Sequence, residues 1–207
     1  MAKQLGFYYN GTACSGCKAC QLACQDKNNL PASILWRRVV IYGGGSWVPS
    51  GNTMVPNNIF AYSVSSACYH CENPACVNVC PAGAMTKRAD GIVLVNQDQC
   101  IGCRYCEWAC PYGAPHFDHA KGIMPKCTFC EDLLAQGQNP ACVDACPMRA
   151  IEFGELSDLR AKYGNTMDVE PLPASWMTSP SVVISPHRNA QMSGKGTGRI
   201  LNLPEEL

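Results

Sequence analysis

The sequence predicts an α+β protein assembled from repeated four-cysteine units, with a small β insertion and an extended C-terminal tail. Three observations predict it. Sixteen cysteines stand among 207 residues. They fall into four groups of four with none left over. Between the groups lie only short β-branched runs and helix-sized stretches, and the whole sequence holds 18 glycines and 15 prolines, as expected where tight turns dominate and cross-links replace part of a conventional core.

The first group is Cys14-x2-Cys17-x2-Cys20-x3-Cys24 and the second Cys68-x2-Cys71-x4-Cys76-x3-Cys80-Pro81. The third is Cys100-x2-Cys103-x2-Cys106-x3-Cys110-Pro111 and the fourth Cys127-x2-Cys130-x11-Cys142-x3-Cys146-Pro147. Thiolates at x2 spacing let a loop curl round one iron–sulfur cubane and offer it three sulfurs. The fourth cysteine lies one helical turn on and points away, so it reaches a second cluster, the arrangement of two-cluster bacterial ferredoxins. The proline after it turns the chain out of the helix. Four zinc sites would instead show C-x2-C pairs about a dozen or more residues apart. A disulfide scaffold needs an exported, oxidising setting. The pattern therefore predicts four [4Fe–4S] clusters on the sixteen cysteines.

The groups pair in a nested order. Between the second and third, Ala82–Thr86 and Gly91–Val95 read as a β-hairpin turned at Lys87–Asp90. This makes residues 65–119 an inner ferredoxin-like module. Its ligand sets are Cys68, Cys71, Cys76 with Cys110, and Cys100, Cys103, Cys106 with Cys80. The first and fourth groups then pair across it, in an outer module of residues 1–24 and 120–157. Its sets are Cys14, Cys17, Cys20 with Cys146, and Cys127, Cys130, Cys142 with Cys24. Met148–Phe153 parallels Ala82–Met85 after its own Cys-Pro. The x11 gap, with Asp132–Ala135 and then Gly137, reads as a short helix inserted in the loop.

Residues 25–64 are predicted as a β-rich insertion, with Ile34–Tyr42 and Ile59–Ser65 as strands flanking a Gly43-Gly44-Gly45 turn. Trp36 and Trp47 there are packing or interface residues. Ser157–Tyr163 reads as a capped helix. From Pro171 the tail reads as extended, and its apolar Val182-Val183-Ile184 favours a partner surface, so residues 158–207 are expected to be a short helix and a partner-binding tail. His70, between Cys68 and Cys71, is read as packing or hydrogen bonding, because no cysteine is missing for it to replace. His116, His119 and His187 form no triad with a nucleophile. Tyr105 and Tyr112 are expected to shield clusters from water.

Lys+Arg and Asp+Glu balance at 16 each, which excludes the strongly basic class that binds nucleic acid. Sixteen thiolates around four cores would add about eight negative charges, and Lys18, Lys87, Arg88, Arg104 and Lys126 stand beside the cysteines to offset them. The first seven residues show neither an apolar signal region nor a twin arginine, so no signal peptide is expected. No apolar run approaches the ~20 residues of a membrane span. No G-x-G-x-x-G follows a strand, and nothing supplies a flavin, haem or pterin site. Four clusters and no substrate site describe a relay between other subunits, with no catalytic residues of its own.

Cys14-Ser-Gly-Cys17-Lys-Ala-Cys20, Cys71-Glu-Asn-Pro-Ala-Cys76, Cys100-Ile-Gly-Cys103-Arg-Tyr-Cys106, Ala109 to Pro115 and Lys126-Cys127-x2-Cys130 closely resemble the iron–sulfur electron-transfer (B) subunits of anaerobic dimethyl sulfoxide reductases. The resemblance runs from Gly6-Phe7 to Pro171-Leu172-Pro173. The cysteine pattern alone is shared more widely among molybdopterin oxidoreductases. The resemblance implies a heterotrimer with a molybdopterin catalytic subunit and an integral membrane anchor that oxidises menaquinol. The chain would then be peripheral on the bacterial cytoplasmic membrane through the anchor, on a side left open. It implies that the cluster on Cys14, Cys17, Cys20 and Cys146 lies nearest molybdenum and that on Cys80, Cys100, Cys103 and Cys106 nearest the quinol. Related nitrate reductase subunits carry Trp where Cys103 stands and hold a three-iron cluster there. Formate dehydrogenase beta subunits add a C-terminal membrane helix that is not found here. Other acceptors (tetrathionate, polysulfide, selenate) and a free-standing soluble polyferredoxin are the alternatives.

Overall fold

The computed structural model describes residues 3–203. Met1 and Ala2, and with them the start of the expected signal-free N-terminus, lie outside the described residues. Strand β1 (Leu5–Asn10) is the centre of a three-stranded sheet. It pairs antiparallel with β6 (Ile151–Glu155), Phe7 opposite Phe153 and Tyr9 opposite Ile151. On its other edge it pairs parallel with β7 (Val182–Ser185), Phe7 opposite Val182. Both faces of β1 are covered, which explains why Phe7, Tyr8 and Tyr9 are all buried in a run with no polar alternation. Phe7 stacks on Phe129 with ring centroids 4.2 Å apart, and Tyr8 on Tyr163 at 3.6 Å. Tyr163 ends helix α6 (Leu156–Tyr163), whose Leu156 and Leu159 pack under Tyr8 and Val183.

A second sheet is a long hairpin of β2 (Arg37–Ser50) and β3 (Thr53–Ala67), edged by β8 (Arg199–Ile200). The expected turn at Gly43–Gly45 is corrected. Those glycines lie inside β2, and the chain reverses at Gly51 and Asn52, between Ser50 and its partner Thr53. Gly45 instead sits at φ +115 beside a register shift between Gly44 and Ser46, the bulge that a glycine within a strand signals. Gly44 is also where another backbone crosses, since a Cβ there would lie 2.9 Å from Gly198 Cα.

Short elements carry the cysteines: helices α1 (Ala19–Lys27), α2 (Ala75–Asn78), α3 (Tyr105–Ala109), α4 (Glu131–Ala135) and α5 (Ala141–Asp144), with the hairpin β4 (Met85–Lys87) and β5 (Val93–Val95). α4 is the helix expected in the x11 gap. α6 begins at Leu156, one residue ahead of the reading, and its start has no side-chain cap.

The tail is a second correction. Val182, Val183 and Ile184 are 1%, 0% and 2% exposed within the protein's own sheet, and β8 closes onto β2. These residues are not a surface for a partner. Burial of each is worth roughly 1.5–3 kcal/mol, enough to bind the tail to β1. Among the described residues no helix is long and apolar enough to cross a membrane.

Candidate metal centres

All sixteen cysteines are free thiols. They line four cavities. One is lined by Cys14, Cys17, Cys20 and Cys146, and one by Cys24, Cys127, Cys130 and Cys142. Cys68, Cys71, Cys76 and Cys110 line a third. Cys80, Cys100, Cys103 and Cys106 line the fourth. Each cavity thus draws three cysteines from one group and one from another.

Local backbone geometry explains why the loops open around voids. Two residues after the first cysteine of every group stands a residue with positive φ: Gly16 (φ 73), His70 (φ 44), Gly102 (φ 65) and Phe129 (φ 61). That left-handed step turns the backbone so that the flanking thiols face one side. Lys18 (φ 61) and Arg104 (φ 65) repeat it directly before α1 and α3. Past the Cys-Pro steps, Gly83, Gly113 and Arg149 are again left-handed, and each donates its N–H to the carbonyl of the cysteine three residues back.

Helices link the cavities in series. α1 carries Cys20 for the first cavity and Cys24, one turn on, for the second; α5 carries Cys142 for the second just before Cys146 of the first. α2 and α3 link the third and fourth in the same way, with Cys76 followed by Cys80 and Cys106 by Cys110. A turn advances about 5.4 Å, so the adjacent sites are held close together. Cys68 and Cys127 pack in one buried cluster, which joins the third cavity to the second.

The donor sets fit iron–sulfur clusters. Ala150 N–H donates to Cys146 Sγ at 3.3 Å, Phe129 N–H to Cys127 Sγ at 3.4 Å and Ala114 N–H to Cys110 Sγ at 3.5 Å, the hydrogen bonds that stabilise charged sulfur. His70 lines the third cavity. Its Nδ1 accepts from Val93 N–H at 3.0 Å, while the buried Nε2 has no protein partner. A single zinc ion would draw four sulfurs to about 2.3 Å, and among the described residues no three His, Cys, Asp or Glu side chains converge on one ion. Burial pushes the Cys71 and Cys24 thiols up to about 12 and the Cys106 thiol up to about 11. Burial thus favours the neutral form of these three thiols, and binding iron must displace their protons. When bound, clusters of this kind supply one-electron chemistry.

Of the cations expected to offset the clusters, Lys126 is deeply buried and donates to the Val93 and Cys127 carbonyls, and Lys87 donates to the Cys71 and Glu72 carbonyls. Arg88 instead pairs with Asp90 and Glu131 at the surface, and Arg104 with Glu107. Tyr112 is buried, but Tyr105 is 51% exposed and its ring lies against the exposed Trp108 on the outer face of α3, a correction to the expected shielding. Trp36 packs against Cys68 and Cys127, and Trp47 faces outward. His116, His119 and His187 line none of the four cavities. Sequence reasoning missed Arg37, buried beside the second cavity. The available signal was a charged residue opening a strand whose alternate positions are apolar.

Cavities walled by four thiols on ferredoxin-type turns define an iron–sulfur electron carrier. The 4Fe-4S dicluster domain family matches residues 59–156. The protein is 47% identical to the B chain of anaerobic dimethyl sulfoxide reductase of Escherichia coli (strain K12), over the full length of both. It is 38% identical to the B chain of polysulfide reductase of Wolinella succinogenes, over 91% of this sequence and 97% of that one. It is 34% identical to the B subunit of sulfite dehydrogenase of Allochromatium vinosum, over 91% and 85%. The protein belongs to the family of anaerobic dimethyl sulfoxide reductase B chains, iron–sulfur electron-transfer subunits rather than catalytic ones.

Proposed function

We propose that the protein holds four [4Fe–4S] clusters on the four cavity sets and passes electrons from a menaquinol-oxidising membrane anchor to a molybdopterin catalytic subunit reducing dimethyl sulfoxide or related S- and N-oxides. The observation that carries this reading is the serial arrangement of four four-thiol cavities, joined in two pairs by one-turn helical steps and between the pairs by the packing of Cys68 on Cys127. Its components are an outer module (residues 1–24 and 120–157) enclosing an inner one (65–119), a reading supported by their matching strand pairs, β1–β6 and β4–β5.

The ends of the series support entry and exit at partner surfaces. Beside the Cys80 set, Ile101 and Trp108 are 66% and 72% exposed; at the other end Cys17 is exposed and Met148 half-exposed. Exposed apolar groups rimming a redox site mark docking surfaces. We assign the Cys80 end to the anchor and the Cys14 end to the catalytic subunit, in a heterotrimer peripheral to the cytoplasmic membrane.

The test is the intact complex. It is expected to hold about sixteen irons per copy of this protein. Cys103→Ser should convert one cubane to a three-iron form seen by EPR and impair quinol-driven turnover. Stoichiometric zinc, or an EPR spectrum unchanged by that substitution, would overturn the reading. The relation to a polysulfide reductase B chain supports a second acceptor class, decided by which oxidant the copurifying catalytic subunit turns over.

A further inference from the structure

Arg37 is 4% exposed, yet among the described residues no carboxylate pairs with it. Its Nη1 donates to Ser65 Oγ at 3.1 Å, and that hydroxyl lies 3.4 Å from Cys20 Sγ. Its guanidinium sits 5.1 Å from the Phe7 ring centroid, closed off from solvent. The side chain lines the cavity of Cys24, Cys127, Cys130 and Cys142. Isolated buried charge is costly unless an opposite charge or a full set of hydrogen bonds meets it. The side chains that bear on this cation are those of Cys142, Cys20, Cys127 and Cys24, which become anionic thiolates when they ligate iron.

We propose that Arg37 is a tuning residue whose fixed charge raises the reduction potential of the cluster held by Cys24, Cys127, Cys130 and Cys142 above what that site would otherwise have. This inference rests on the ligand sets proposed above. Four thiolates around an oxidised core carry a net charge of about −2, and uptake of one electron from the donor subunit makes it about −3. A buried cation stabilises the second state more than the first, and low local polarity magnifies the difference. Ser65 relays part of the same cation to Cys20, so the cluster of Cys14, Cys17, Cys20 and Cys146 should feel it less.

Lys126, also a deeply buried cation, differs. Its ammonium is occupied by two backbone carbonyls, so less of its field is free.

The experiment is an EPR-monitored redox titration of the intact complex, with signals assigned by single Cys→Ser replacements. Arg37→Gln keeps a donor for Ser65 and removes the charge. It should lower the midpoint of the Cys24 set's cluster by about tenfold in the reduced-to-oxidised ratio, about 59 mV for one electron. The Cys14 set's cluster should shift less and the other two least. Arg37→Lys keeps the charge on a compact head that sits further from Cys142, so it should fall between the two. If Arg37→Gln does not assemble, the Arg37→Lys shift decides alone. Full iron content with unchanged midpoints would overturn the role of Arg37 and leave the cluster reading intact. A larger shift at the Cys68 set would also overturn it. A wild-type complex short of about sixteen irons would instead sink the ligand assignment beneath it.

Discussion

Asn10 and Asn96 occupy the same place in two different strand ladders. Asn10 N–H donates to the Ala150 carbonyl at 2.8 Å, and Asn96 N–H to the Ala84 carbonyl at 2.7 Å. Just before them, Tyr9 faces Ile151 and Val95 faces Met85. Each asparagine then turns its side-chain oxygen onto the loop that leads to a cysteine group. Asn10 Oδ1 accepts from Thr12 and Ala13, and Asn96 Oδ1 from Asp98, all at 3.1 Å. One ladder is closed within a short hairpin, the other across almost the whole sequence.

The equivalence makes a paired prediction. A local side-chain-to-backbone bond of this type contributes about 1 kcal/mol. Asn10→Ala should destabilise the loop before Cys14, and Asn96→Ala the loop before Cys100, with the Asn10 change larger because it loses two bonds. Site-resolved EPR under mild denaturant should show each variant losing its own cluster first. The same cluster lost first in both variants would contradict the local role.

Gly102 and Gly137 separate backbone strain from collision. Both have positive φ, +65 and +71. A Cβ on Gly102 would strike the Gly122 carbonyl, whereas nothing lies within 4 Å of one on Gly137. Gly137→Ala should cost only the left-handed penalty of about 1–2 kcal/mol. Gly102→Ala should cost that and more, and should lower the iron content of the Cys80, Cys100, Cys103 and Cys106 site. Iron analysis and thermal unfolding of the two variants test this. Equal losses would show that the Gly122 contact relaxes.

His70 combines two demands that few residues meet. It stands at φ 44 and its Nδ1 takes the Val93 N–H in a fully buried site. Asparagine tolerates that backbone and can place Oδ1 near the same point. His70→Asn should therefore stay close to wild type in unfolding midpoint. His70→Leu leaves the Val93 N–H unpaired and should lose about 1–3 kcal/mol. Denaturant titration of both variants checks the order, and a leucine variant as stable as the asparagine one would remove the hydrogen bond from the account.

The cysteine groups, the β4–β5 hairpin and the helix in the x11 gap were legible because each is set by near neighbours in sequence. Ligand spacing at x2 and x3 is a property of one loop and one helical turn, and Gly16 and Gly102 announce the left-handed step those loops need. The reversal at Gly51 was not legible. Gly43 to Gly45 look like a turn until Leu201, Gly198 and the facing residues of β3 come into the space that their missing side chains leave.

Sequence alone therefore determined the class of ligand and the families of cysteines, since sulfur chemistry and short spacings are local. Only the tertiary structure decided that Val182 to Ile184 complete the sheet around β1 rather than meet a partner, and that Arg37 lies buried against the cysteines of two different groups. Both depend on segments far apart in sequence, whose burial and field exist only once the chain has closed on itself.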